Sequence, residues 1–218
     1  MNTDSSAAVQ TVSLYQAHNK IYPRAVTGRF VNWRWALVWL TQIAFYGLPW
    51  LNWNDRQAVL FDLASRRFYI FGLVLYPQDF IYLTAMLLLA AYSLFLFTAV
   101  SGRLWCGYAC PQTVYSEIFM WVERRLEGDR AARMKLDAAP WSAAKLMRKS
   151  GKQAAWVAIG LWTGFSFVGY FTPIVTLAGE AMTLSLSGWE SFWVLFYGFA
   201  TYGNAGFMRE QVCKHMCP

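Results

Sequence analysis

The sequence predicts an all-α fold: a polytopic membrane bundle of about four transmembrane helices, with an interfacial amphipathic helix beside them. Three observations carry that expectation. Of 218 residues, 57% are hydrophobic and 14% charged, against roughly 45–50% and about 25% in a soluble domain, so the chain holds more apolar side chain than one aqueous core can hide. Four runs approach the roughly 20 mainly apolar residues that a bilayer crossing needs. The basic residues cluster in the segments that flank those runs, as membrane topology requires.

The first run, Trp33 to Leu51, is interrupted by Arg34 at its start and by Thr41 and Gln42 within it. The second, Phe80 to Val100, is the cleanest, with Thr84, Ser93 and Thr98 as its hydroxyl-bearing aliphatic residues. Ala154 to Pro173 contains no charge at all. The fourth run, Ser191 to Met208, is short and rich in glycine, and reads either as a span or as a buried re-entrant piece. Its Gly198, Gly203 and Gly206 suit close helix approach in a membrane, and Asn204 suits an interhelical hydrogen bond. The expected organisation is a cytoplasmic segment over 1–32, a membrane domain over 33–208 with a cytoplasmic loop at 101–153, and the start of a further cytoplasmic segment at 209–218.

Orientation follows from the positions of Lys and Arg. Sixteen of the 19 lie before residue 35, between Arg103 and Lys152, or after residue 208; Arg56, Arg66 and Arg67 are the other three. That asymmetry puts both termini and the central loop in the cytoplasm. The formal charge of +7 is then a topological signal, and no nucleic-acid partner is expected; the bilayer is. Met1 to Asn19 has neither the apolar core nor the cleavage site of a signal peptide. The 174–190 connection, with Glu180 and Glu190 and no basic residue, faces the opposite side. Eight tryptophans near the run ends, Trp156 among them, read as interfacial anchors.

Within the central loop, Val114, Ile118, Trp121, Val122 and Leu126 recur at helical spacing with Glu117, Glu123, Arg124 and Glu127 between them. This predicts an amphipathic helix over 112–127 lying at the interface, ended by Gly128. The basic stretch that follows reads as a site for anionic headgroups or as a solvated positive loop.

The four cysteines occupy two copies of one pattern, Cys106-Gly107-Tyr108-Ala109-Cys110-Pro111 and Cys213-Lys214-His215-Met216-Cys217-Pro218, each directly after an even-numbered run. Both pairs therefore emerge on the same face of the membrane. Spacing of four puts two sulfurs on one helix face, and the proline that follows breaks the helix. Cytoplasmic placement disfavours disulfides. Cys106, Cys110, Cys213 and Cys217 together are the thiolate complement of an iron–sulfur cluster, with 4Fe-4S the expected cofactor; structural zinc and simple packing are the competing readings.

The blocks Ile21 to Val26, Trp105 to Pro111, Glu127 to Arg130 with Met134 to Asp137, and Tyr197 to Pro218 resemble the CcoG/FixG/RdxA family of cytochrome c oxidase accessory proteins. The resemblance implies a multi-pass protein of the bacterial inner membrane that reduces Cu(II) to Cu(I) on the cytoplasmic side, for assembly of a cbb-type terminal oxidase. It also implies copper as substrate, and oxidase assembly factors or a copper-exporting ATPase as partners. Members continue past the second motif into a ferredoxin domain, whereas this sequence ends at Pro218, so that domain is expected to be absent. Two rival functions are a non-catalytic copper- or zinc-binding scaffold and a quinol-linked electron-transfer subunit, although no quinone site is identified in the sequence.

Overall fold

The computed structural model describes residues 22–215, apart from 25, 55 and 103. Cys217 and most of the expected 1–32 segment lie outside the described residues. The described chain is mostly helical, and its element order follows the apolar pattern of the sequence.

Helix α1 (Arg29–Gly47) covers the first run, and α2 (Phe80–Ser101) the second. Gly102, at φ +61°, ends α2 in a left-handed conformation that favours glycine. After it come α3 (Leu104–Tyr108), α4 (Pro111–Glu127) and α5 (Arg130–Ala138), with Gly128 at φ +86° separating the last two. Helix α6 (Ala143–Val168) begins well before the third run, because Ser142 caps it by accepting from the Lys145 N–H. Helix α7 (Ile174–Met182) occupies the connection expected to be a loop, anchored by buried Ile174 and Leu177. Ser187 and Glu190 form a reciprocal capping box at the start of α8 (Gly188–Gly206), and α9 (Arg209–His215) follows.

Among the described residues one helix, over Ile81–Ser101, is long and apolar enough to cross a membrane, and none of that stretch is buried against protein. The other three expected runs are helical but fall short on composition. In α1 the apolar residues are diluted by Asn32, Arg34, Thr41, Gln42 and tryptophan, in α6 the first half carries Lys145, Arg148, Lys149 and Lys152, and in α8 the dilution is by glycine, serine, threonine and tyrosine.

The all-α expectation is corrected between α1 and α2. Strands β1 (Asn52–Trp53) and β2 (Arg56–Gln57) form a two-stranded antiparallel pair, and β3 (Val59–Asp62), β4 (Arg67–Ile70) and β5 (Leu73–Leu75) form an antiparallel meander. Val59, Phe61, Phe68, Tyr69, Ile70 and Val74 are β-branched or aromatic residues that favour a pleated surface. The Asp62 carboxylate accepts from the N–H groups of Ala64 and Ser65 and closes the β3–β4 turn. Buried Gln57 pins the region to the bundle: its amide donates to the Gly169 carbonyl at 2.7 Å, and its oxygen accepts from the Ile174 N–H at 3.1 Å.

The main packing is between α6 and α8. Gly160 and Gly164 face Gly198 so closely that a Cβ on Gly164 would sit 2.3 Å from the Val194 carbonyl oxygen, and one on Gly160 2.8 Å from that of Gly198. Small residues at this spacing let the two backbones touch, as in membrane helix pairs. Gly203, by contrast, faces open space. At the α9 end of this pair, Phe119, Val122, Trp156 and Ala205 form a core in which the Trp156 indole donates to the Phe119 carbonyl. Trp156 is thus a core residue and no interfacial anchor.

Helix α4 forms where the helical spacing predicts, but the face it packs into the bundle is not the apolar one alone. Glu117, Glu123 and Glu127 are buried, whereas Trp121 and Leu126 are exposed. The reason is charge pairing. Glu123 accepts from Arg133 at 3.0 Å and Arg209 at 3.2 Å, Glu127 pairs with Lys152 at 2.9 Å, and Glu117 pairs with Arg34. Basic residues read as a solvated or lipid-facing loop instead neutralise the buried face of α4. Lys152 and Arg209 also lie over the Trp156 ring, 5.0 and 5.2 Å from its centroid.

Candidate iron–sulfur site

The first cysteine pair straddles a break between two helices. Cys106 lies in α3, and its carbonyl accepts from the Thr113 hydroxyl at 2.5 Å. The Cys110 N–H still reaches the Trp105 carbonyl at 3.1 Å, but the Cys110 backbone is extended (φ −60°, ψ 128°) and caps α4, with Pro111 as the first helical residue. Proline suits that position because its missing N–H would have no partner there. The expectation that both sulfurs share one continuous helix face is therefore corrected: the chain turns between them, and Cys110 enters at the positive end of α4. Both thiols are free and half-buried.

The second pair is described through Cys213, which is exposed on α9. Helix α9 packs against both α4 and α8. Its first residue, Arg209, holds it in register by donating to the Ala205 carbonyl at 2.7 Å and to the Glu123 carboxylate.

Two contacts bring the motifs to one end of the bundle. Gln112, two residues after Cys110, donates from its amide to the Asn204 backbone carbonyl near the end of α8 at 2.9 Å. A cavity of about 250 Å³ also opens where Gln112, Thr113 and Ser116 of α4 meet Arg34, Arg209 and Cys213. Sequence reasoning missed Gln112, Arg34 and Arg209 in this setting, although Gln112 directly follows the Cys-Pro pair and Arg209 opens the segment that carries Cys213.

The donor set fits a thiolate-held cluster in kind. Cys106, Cys110 and Cys213 supply soft sulfur, and Arg34 and Arg209, each paired with a buried carboxylate, line the cavity that Cys213 also lines. Among the described residues no three of His, Cys, Asp or Glu approach closely enough to hold a metal ion. The structure therefore does not gather Cys106, Cys110 and Cys213 into one site, and Cys217 lies outside the described residues.

Residues 82–128, which include the first pair, match the 4Fe-4S binding domain family. The nitrogen fixation protein FixG of Rhizobium meliloti is 44% identical over 210 residues, covering 94% of this chain and 40% of that protein. The chain is a homologue of FixG. RdxA of Cereibacter sphaeroides is 41% identical over 94% of the chain and 45% of its own length, and RdxB of the same organism 39% identical over 98% and 46%. The chain thus spans less than half the length of each of these curated relatives. No solved structure matches it.

Proposed function

We propose that this chain is the membrane portion of a bacterial inner-membrane iron–sulfur protein that passes single electrons to Cu(II) on the cytoplasmic side, yielding Cu(I) for assembly of a cbb-type terminal oxidase. The observation that carries the reading is the 4Fe-4S match over residues 82–128, which contains the first Cys-x-x-x-Cys-Pro motif; the Gln112–Asn204 hydrogen bond, which ties the turn after that motif to the helix end preceding the second, supports it. Cys106, Cys110, Cys213 and Cys217 would hold the cluster, which when bound supplies a one-electron store.

The membrane part of the reading extends from α2 to α1, α6 and α8, with both termini and residues 101–153 cytoplasmic. Trp39, Leu40 and Ile43 of α1 and Phe192, Phe196 and Phe199 of α8 are exposed, the distribution expected of helices that face hydrocarbon. The Lys and Arg asymmetry sets the orientation.

Anaerobic purification tests the proposal. The expected result is about four iron and four sulfide per chain, with a broad absorbance near roughly 400 nm that dithionite bleaches. Oxidation of the reduced protein by Cu(II), one electron for each copper reduced, should restore that absorbance. Iron-free protein holding zinc, or iron content unchanged in a Cys106→Ser, Cys213→Ser double variant, overturns it.

A further inference from the structure

A second cavity, also of about 250 Å³, opens where the segment before α1 meets α1, α4 and α5. Four guanidinium groups line it, those of Arg24, Arg34, Arg124 and Arg133, against one carboxylate among the described residues, that of Glu117. The carboxylates within reach are already shared. Glu117 pairs with Arg34 and lies 3.8 Å from Arg124. Glu123, outside the lining, takes Arg133 at 3.0 Å and Arg209 at 3.2 Å. Arg24 is exposed and has no ion pair among the described residues. The backbone that carries it is fixed at the cavity by its neighbours: the Pro23 carbonyl accepts from Arg133 at 3.0 Å, and the Tyr22 hydroxyl donates to Asp137 at 2.6 Å. Five arginines thus stand against two carboxylates, which leaves the cavity with an excess of positive charge.

We infer that this cavity holds a phosphate group, and that the phosphate belongs to the headgroup of an anionic phospholipid. Guanidinium groups take phosphate oxygens in paired, charge-assisted hydrogen bonds, and an anion here relieves the mutual repulsion of the four cations. The volume, just under the usual range for small-molecule sites, takes a headgroup and leaves the acyl chains outside. Those chains have apolar surface beside the mouth. Val26, on the cavity wall, is 69% exposed, and Phe30, four residues before Arg34 and therefore on the same face of α1, is 78% exposed. A free inorganic phosphate would use the arginines but leave these two side chains without a partner. A zwitterionic headgroup would bring its own cation against the guanidinium groups. The inference rests on the membrane part of the reading above, in which the segment before α1 lies at the cytoplasmic surface, and it adds which lipid that end selects.

Calorimetric titration of the detergent-solubilised protein with dihexanoyl phosphatidylglycerol, dihexanoyl phosphatidylcholine and inorganic phosphate tests the inference. Saturable binding of phosphatidylglycerol is expected, about tenfold or more tighter than that of either other probe. Arg24→Gln and Arg124→Gln should each weaken it about fivefold. Arg148→Gln, at an exposed cation outside the cavity, should leave it unchanged. Absence of saturable phosphatidylglycerol binding, equal binding of phosphatidylcholine or of inorganic phosphate, or an equal loss in Arg148→Gln overturns it, the last by showing diffuse attraction to a basic surface. Extraction of the protein from the membrane fraction by detergent and not by a carbonate wash checks the membrane reading separately, and the titration needs neither iron nor copper.

Discussion

The amide of Gln112 donates to the backbone carbonyl of Asn204 at 2.9 Å, and this contact ties the turn after the first cysteine pair to the helix end that precedes the second. Gln112→Leu removes it and leaves the carbonyl of a half-buried residue without that partner, at a cost of about 1–3 kcal/mol. The expected outcome is a lower iron-to-protein ratio and faster cluster loss in air, with helix content by circular dichroism unchanged. Retention of iron at the wild-type level shows that the two motifs do not depend on this bond.

The α6–α8 contact predicts a position-specific response to one methyl group. Gly164→Ala places a Cβ 2.3 Å from the Val194 carbonyl oxygen, so the backbones must separate, and the strain should cost about 1–3 kcal/mol. Gly203→Ala, with nothing within 4 Å, should stay within about 0.5 kcal/mol of the parent. Thermal unfolding in detergent compares the two.

Glu123 accepts from two guanidinium groups and is 5% exposed, while Arg133 is 4% exposed. Glu123→Leu strands both cations and should destabilise the fold by about 3–5 kcal/mol. In the Glu123→Leu, Arg133→Met double variant the loss should be smaller, because the most buried unpaired charge is gone. Denaturant unfolding of the parent, the Glu123→Leu and Arg133→Met single variants and the double variant measures the coupling, and additive losses count against the pairing.

Acidification should act on the β3–β4 turn. The Ser65 hydroxyl, followed by the Ser65 and Ala64 N–H groups, holds the Asp62 carboxyl below the usual carboxylate range. A depressed folded-state pKa contributes stability that is fully present above the unfolded value near 3.8 and is lost as pH falls through the lower folded value. Ser65→Ala should move the Asp62 titration upward toward the ordinary range, as read by carbon-detected NMR of the carboxyl.

The long apolar stretch of α2 and the helix after Pro111 are legible in the sequence, because run length and 3.6-residue periodicity are local signals. What α4 buries is not legible. Glu117, Glu123 and Glu127 read as a wet face until Arg34, Arg133, Lys152 and Arg209, each supplied by a different helix, are known to converge on them. Position relative to the third run suggested an anchoring role for Trp156, but α6 begins at Ala143, so the same residue sits mid-helix in the core. The meander at 59–75 was hidden because each strand holds four residues or fewer, too short for alternation to stand out between two apolar helices. The cysteine spacing identified the thiols but not the turn between Cys106 and Cys110, since four-residue spacing is compatible with both a continuous helix and a capped break.

The sequence separations within the charged core impose a timetable on synthesis. Glu123 meets Arg133 ten residues later but Arg209 only after 86. At roughly 5–20 residues per second, α4 leaves the ribosome about 4–17 s before the helix that carries Cys213. During that interval the nearer arginine shields the carboxylate while Cys106 and Cys110 stand without their counterpart pair. Whatever the first pair comes to hold, α9 joins α4 only after α5 to α8 have been made.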